Sequence, residues 1–207
     1  MVEDITNTKI GIIGLFRTNY LKQVHIRGMG QKLKKNHTTL LPHLKDLVKD
    51  KILNHKTIGK NKYYFLNLYE INTRNWLVLA EIAQTTKHCK KYFQIYQISN
   101  WFSELKLNNP LILFGSYADE TFNKASDIDI LTTDKLSKKN SEKMLEFTDL
   151  STKEINIMDT TFDKFKKELH NRDPLITEVV KKHVILQNIE PFVDTLWDYF
   201  KKYSQED

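Results

Sequence analysis

The chain has 207 residues, 40% hydrophobic and 28% charged, with 32 Lys and Arg against 26 Asp and Glu for a net charge of +6. That length holds one large or two small domains, each able to bury a core, and the composition excludes a disordered, collagen-like or disulfide-dense chain. A single cysteine, Cys89, permits no internal disulfide, no uncharged apolar run is long enough to span a membrane, and the acidic start MVEDITNTKIGIIG is unlike a signal peptide, so a cytoplasmic protein is expected.

Charge divides unevenly along the chain. Residues 1–69 carry 13 Lys and Arg against 4 Asp and Glu, whereas residues 70–207 carry 19 against 22. A basic first third joined to a mildly acidic remainder is the pattern of one module that meets a polyanion, the bland alternative being lysine-rich drift on a solvated surface. Ile10, Ile13, Leu15 and Phe16 give a first helical stripe, and Val24, Ile26 and Leu33 a second, short helix that contains Gly28 and Gly30. The spacing of Leu40, Leu41, Leu44, Leu47 and Val48 predicts a third helix over 39–51, with Thr38 and Thr39 as N-caps and Pro42 in its first turn. KILNHKTIG and KYYFLNL then read as two strands joined by a turn at 59–61.

In that order of elements, residues 8–69 resemble the winged helix-turn-helix module of prokaryotic transcription regulators. The resemblance implies that the third helix lies in the major groove of duplex DNA, with Asn36, His37, Thr38, Thr39, His43 and Lys45 near its start facing bases and phosphates. It also implies a basic wing tip made of His55, Lys56, Lys60, Asn61 and Lys62, suited to phosphate or minor-groove contact. A wing that docks a protein is the alternative.

From residue 72 to 107 the chain is apolar and free of Gly and Pro. Two helices are expected, broken near 85–88, the first with Trp76, Leu79, Ala80 and Ala83 on one face and the second with Tyr92, Phe93, Ile95, Tyr96, Ile98, Trp101, Phe102 and Leu105. Such an aromatic stripe reads as core or dimer interface. His88 and Cys89 alone make no metal site, which needs three or four ligands.

Chemistry-bearing residues concentrate in PLILFGSYADETFNKASDIDILTTD. The apolar run 111–114 is a buried strand that ends at Gly115 and Ser116, and 127–131 alternates acid and hydrophobe as a second strand. A period of two puts Asp127 and Asp129 on one face, where two carboxylates repel unless a hard cation such as Mg²⁺ lies between them. The Gly-Ser turn allows backbone N–H groups and a hydroxyl to come close to a phosphate.

Together these parts resemble the nucleotidyltransferase superfamily typified by DNA polymerase beta, whose signature is a hydrophobic strand, Gly-Ser, a gap of about ten residues and Asp-h-Asp-h, with h hydrophobic. Here Phe114-Gly115-Ser116 is followed by the ten residues 117–126 and then Asp127-Ile128-Asp129-Ile130, and the likeness extends over about 92–200. It implies that Asp127 and Asp129 hold two Mg²⁺ ions, that Gly115 and Ser116 cradle the triphosphate of an NTP such as ATP, and that NMP passes to an acceptor as pyrophosphate leaves.

This chain departs from the superfamily pattern at two places. The third carboxylate falls in KEINIM, where the register puts the neutral Asn156 in its position and Glu154 two residues earlier on the same face. Either Glu154 serves as the third catalytic acid or the second metal is weakened or lost. Asp119 and Glu120, where small relatives carry Arg or Lys, add negative charge at the phosphate approach. The tail reads as helix, a break at Asn171-Arg172-Asp173-Pro174, and a second helix whose apolar face runs through Ile176, Val179, Val180, Val184 and Leu186. Lys166, Lys167, Arg172, Lys181 and Lys182 are basic candidates for the triphosphate or acceptor, and a final amphipathic helix carries Phe192, Leu196, Trp197 and Phe200.

The expectation is an α/β (α+β) chain with a winged helix-turn-helix at 1–71, a helical linker at 72–91 and a minimal nucleotidyltransferase at 92–207 built on a small mixed sheet flanked by helices. Fusions of this kind look archaeal or bacterial, and related small members act as antitoxins that modify a partner toxin with AMP. The leading functional expectation is Mg²⁺-dependent transfer of NMP to a protein or nucleic-acid acceptor by a DNA-binding homodimer. Its rival is a transcription regulator whose weakened nucleotidyltransferase fold senses nucleotide or dimerises.

Overall fold

A computed structural model describes residues 2–151 and 153–204, so the expected domain limits at 1 and 207 lie outside the described residues. The chain divides into two compact units, one made of 1–83 with 196–207 and the other of 84–195.

In the first unit, helix α1 (Val2–Gly14) is followed by the two-residue strand β1 (Val24–His25), helices α2 (Ile26–Leu33) and α3 (His37–Lys49), and the hairpin β2 (Leu53–Ile58) and β3 (Asn61–Leu66). The three strands form an antiparallel sheet in the order β1-β3-β2. Leu40, Leu44 and Leu47 recur at steps of four and three, so all three point inward from α3 and are fully buried beside Ile12, Ile13, Phe16 and Met29. Each such side chain contributes about 1.5–3 kcal/mol by leaving water. Helix α4 (Ile71–Lys91) begins in this unit and carries Glu81, whose fully buried carboxylate meets the Arg17 guanidinium at 2.6 Å.

Several local expectations are corrected here. Val24 belongs to β1 and pairs with Tyr64, a natural place for a β-branched residue, and α2 starts only after His25, whose ring accepts from the Arg27 N–H. Helix α3 starts two residues earlier than its stripe suggested, with Asn36 as N-cap, so Thr38 and Thr39 lie inside the first turn. Pro42 is then the sixth helical residue and offers no N–H to the Thr38 carbonyl. Gly30 is required because a Cβ there would lie 2.8 Å from the Lys35 carbonyl oxygen where the chain turns back after α2.

The second unit contains the end of α4, α5 (Phe93–Ser103), β4 (Leu111–Phe114), α6 (Gly115–Ala118), β5 (Ile128–Thr132), α7 (Lys138–Leu150), β6 (Ile155–Asp159), α8 (Phe162–His170), α9 (Pro174–Lys181), β7 (His183–Gln187) and the start of α10 (Ile189–Tyr203). Its sheet runs β6-β5-β4-β7, with β5 and β6 parallel and the other pairs antiparallel. Leu111, Leu113, Ile128, Ile130 and Val184 from three strands pack with Ile98 and Phe102 of α5. Residues 72–91, read as a linker, form most of α4, and the break between α4 and α5 falls at Tyr92 rather than near 85–88.

The tail differs from its expected helix-turn-helix. Val184, Ile185 and Leu186 extend no helix; they form β7 along β4, buried as a consecutive run because this strand has no solvent face. A short run of this kind fits a helix or a strand equally well by periodicity.

Candidate active site

Phe114 ends the interior strand β4, and Gly115 turns the chain into α6 with a φ of +69°, which favours glycine. Space requires it as well: a Cβ on Gly115 would stand 2.7 Å from the Asp129 carboxylate oxygen Oδ2. The glycine is thus what lets an acid from the next strand lie against the turn. Ser116 is half-buried in α6, and its carbonyl accepts the Thr121 N–H at 3.0 Å.

Asp129 sits on β5 directly across from Phe114, and Asp127 immediately precedes that strand. Ile128 and Ile130 are fully buried in the core, so the alternation turns both aspartates to the opposite face, where each is half-buried. On the neighbouring parallel strand, Asn156 pairs with Asp129. Its amide Nδ2 lies 3.5 Å from Asp127 Oδ2 and 3.4 Å from Asp129 Oδ1, long contacts that hold the side chain between the two acids.

Burial pushes the Asp129 carboxyl above the usual carboxylate range; the Asn156 amide opposes this, while the charges of Asp127 and Glu178 reinforce it. Tyr117 is likewise raised, first by burial and then by the Asp127 charge. These shifts mark a concentration of negative charge faced by a neutral amide.

That donor set fits one hard divalent cation. Two carboxylates on one face, destabilised by each other, gain from a cation between them, and Mg²⁺ is commonly held by one or two carboxylates with water and substrate phosphates completing its shell. Asn156 can contribute an oxygen once its amide turns over. Among the described residues, no three His, Cys, Asp or Glu side chains cluster closely enough to hold a metal. Glu154 is exposed, lies just before β6, and its backbone carbonyl accepts the Ile128 N–H at 2.9 Å.

The acids after the Gly-Ser turn are compensated, contrary to the expectation of added negative charge. Asp119 Oδ2 meets Lys182 Nζ at 3.1 Å, and Glu120 is ion-paired with Lys91. Burial pushes Asp119 up, but the bonds from Thr121 and the Lys182 ammonium outweigh it and hold the carboxyl below its ordinary value. The Glu120 carboxyl is lowered chiefly by Lys91. Glu178, four residues before Lys182 on α9, is the group that sequence reasoning missed; its influence on Asp129 comes from tertiary packing and leaves no local signal.

In the first unit, Thr38, Thr39 and Lys45 lie exposed on α3, with His43 half-buried. Lys56, Lys60 and Lys62 are exposed along the β2–β3 hairpin, and the Lys62 ammonium sits 5.5 Å above the Tyr64 ring. Every residue of β2 after Leu53 is exposed, whereas Leu53, Tyr64 and Leu66 are buried, so the root of the hairpin joins the core and its tip stands in solvent.

The family model described as nucleotidyltransferase domain matches residues 95–206, more than half of the chain. Comparisons with curated proteins and with solved structures return no match. Among the described residues, no helix is long and apolar enough to cross a membrane.

Proposed function

The chain belongs to the nucleotidyltransferase domain family, and from that premise we propose that it transfers NMP from an NTP to a protein or nucleic-acid acceptor in the presence of Mg²⁺. The observation that carries this reading is the approach of Asp129 to Gly115, which joins the acid pair and the Gly-Ser turn into one site. Asp127 and Asp129 are assigned as the metal ligands, and Gly115 and Ser116 as the seat of the β and γ phosphates. Mg²⁺ bound there supplies charge neutralisation for the triphosphate and acidifies the attacking hydroxyl.

Asn156 has no proton-accepting group at neutral pH, so it positions the two acids and does not act as the base. Glu154, roughly 7 Å back along the strand, is assigned the role of a remote carboxylate that receives the acceptor's proton. A site with two carboxylates and an amide suits a single protein-held ion, and the second ion of a two-metal mechanism would rest mainly on the nucleotide's own phosphates.

We further assign residues 8–69 as a winged helix that binds duplex DNA through Thr38, Thr39, His43, Lys45, Lys56, Lys60 and Lys62, supported by the helix, strand, helix, helix, hairpin order and by the exposure of all of these but the half-buried His43. Recognition of palindromic DNA would call for a homodimer. The Asn156 substitution favours a second reading, in which the chain is a DNA-binding regulator whose nucleotidyltransferase fold binds nucleotide or dimerises without turnover.

Incubation of the chain with labelled NTPs, Mg²⁺ and cell extract separates the two readings. Label transfer that is lost in Asp127→Ala with Asp129→Ala supports the enzyme, and no transfer, or transfer indifferent to that double substitution, supports the regulator. Duplex binding that weakens steeply with salt and with the loss of Lys56, Lys60 and Lys62 supports the DNA assignment; salt-independent binding contradicts it.

A further inference from the structure

Lys182 stands on the opposite side of the Gly-Ser turn from the acid pair. Strand β7 starts at His183, which pairs with Phe114, and one further antiparallel step puts Lys182 beside Gly115. Across β4, Phe114 pairs with Asp129. Gly115 is therefore flanked by a carboxylate from β5 and a cation from the start of β7.

That cation is engaged by two acids. Lys182 Nζ lies 3.1 Å from Asp119 Oδ2 and 3.5 Å from Glu178 Oε1, and its side chain is 43% exposed. Asp119 is fixed independently of the lysine: it caps α6, and its other oxygen, Oδ1, accepts the Thr121 N–H at 3.1 Å. Solvent-exposed ion pairs are worth at most about 1 kcal/mol, so a ligand with several negative charges can take the ammonium from its carboxylates while Asp119 stays in place.

We propose that Lys182 is the protein cation for the polyphosphate tail of the nucleotide, and that Asp119 and Glu178 compete for it, so that only a ligand rich in negative charge displaces them. The proposal rests on the nucleotidyl-transfer reading and deepens it. It also accounts for acids at 119 and 120 beside a phosphate site: Asp119 serves as a stand-in anion, and Glu120 is neutralised separately by Lys91.

A double-mutant cycle on the full chain tests this. Binding of each NTP in the presence of Mg²⁺ is measured by titration calorimetry for the wild type, Asp119→Asn, Lys182→Gln and the double variant, with thermal unfolding as the check on folding. Asp119→Asn keeps the Oδ1 acceptor for Thr121 and is expected to tighten the best-bound NTP by about threefold to tenfold, while Lys182→Gln weakens it about tenfold. In the Lys182→Gln background, the gain from Asp119→Asn should nearly vanish. Glu178→Gln should tighten binding on its own, and Lys182→Arg should retain affinity, which keeps the test open if Lys182→Gln does not fold.

An equal gain in both backgrounds would mean that Asp119 merely repels anions, and would overturn the proposal, as would unchanged affinity in Lys182→Gln. NTP binding that needs Asp127 but not Lys182 overturns this proposal alone. Absence of NTP binding by the wild type, or binding indifferent to Asp127→Ala, overturns the nucleotidyl-transfer reading with it.

Discussion

Glu81 in the first unit and Asp129 in the second are both acids drawn into the protein interior, and they are treated in opposite ways. Glu81 is fully buried and met by a guanidinium at 2.6 Å. Asp129 is half-buried beside a second carboxylate, and what its own strand neighbour offers is an amide at 3.4 Å. A closely paired buried ion is part of the architecture, because removing either partner strands the other. Repulsion left uncorrected between two carboxylates, at a turn that only glycine fits, is a cost to the fold that a ligand can relieve, which is how binding sites commonly look.

The same contrast runs through the lysines. In residues 1–69 they stand mostly in solvent, on a hairpin and helix face available to a polyanion, whereas in the second unit Lys91 and Lys182 are each engaged by an acid near the Gly-Ser turn. Charge count alone therefore misjudged the phosphate approach: the acids at 119 and 120 are present, but their fields are locally closed.

Removing both acids of the half-buried pair should abolish activity and spare the fold. Asp127→Ala with Asp129→Ala should lower transfer at least about a thousandfold while circular dichroism and cooperative unfolding stay intact. Glu81→Ala should do the reverse, costing about 3–5 kcal/mol of stability by breaking the buried ion pair with Arg17, as measured by urea unfolding. Gly115→Ala should do both in part. Its Cβ meets Asp129 and its φ is left-handed, so a loss of about 1–3 kcal/mol is expected, together with a clear fall in activity.

A pH experiment sharpens the same point. Because the Asp129 carboxyl is raised in the folded state, its contribution to stability is fully present below the ordinary aspartate pKa and lost as pH rises through the raised value. Asp129→Asn removes that loss. Its melting temperature should exceed that of the wild type by roughly 2 °C at neutral pH, with the gap closing as the pH falls and Asp129 protonates, even though the variant transfers no nucleotide. Glu154→Gln, which removes the proposed proton acceptor and leaves the acid pair intact, should lower the rate about a hundredfold under saturating NTP, less than the loss of Asp127 and Asp129.

The placement of the candidate site's residues was largely legible because its parts are local. A strand ending in Gly-Ser and an alternating Asp-Ile-Asp-Ile each declare themselves within a few residues, and the same two-residue alternation places Asn156 opposite Asp129. What stayed hidden is non-local. Nothing near residue 119 in the chain announces that Lys182 will neutralise it, and the effect of Glu178 on Asp129 depends on where α9 packs. Strand β7 was read as helix because a short buried apolar run directly after a helix carries no period of its own. The start of α3 was misplaced because two threonines are better capping residues by type than they are by position, Asn36 having already taken that place.

The proposed reaction moves a nucleotidyl group and not a phosphoryl group. Parallel reactions with NTP labelled on the α phosphorus or on the γ phosphorus decide it. Incorporation of the α label into acceptor, release of the γ label as pyrophosphate, and loss of both in Asp127→Ala with Asp129→Ala is the result predicted. Incorporation of the γ label, or no incorporation of either label by the wild type, would contradict it.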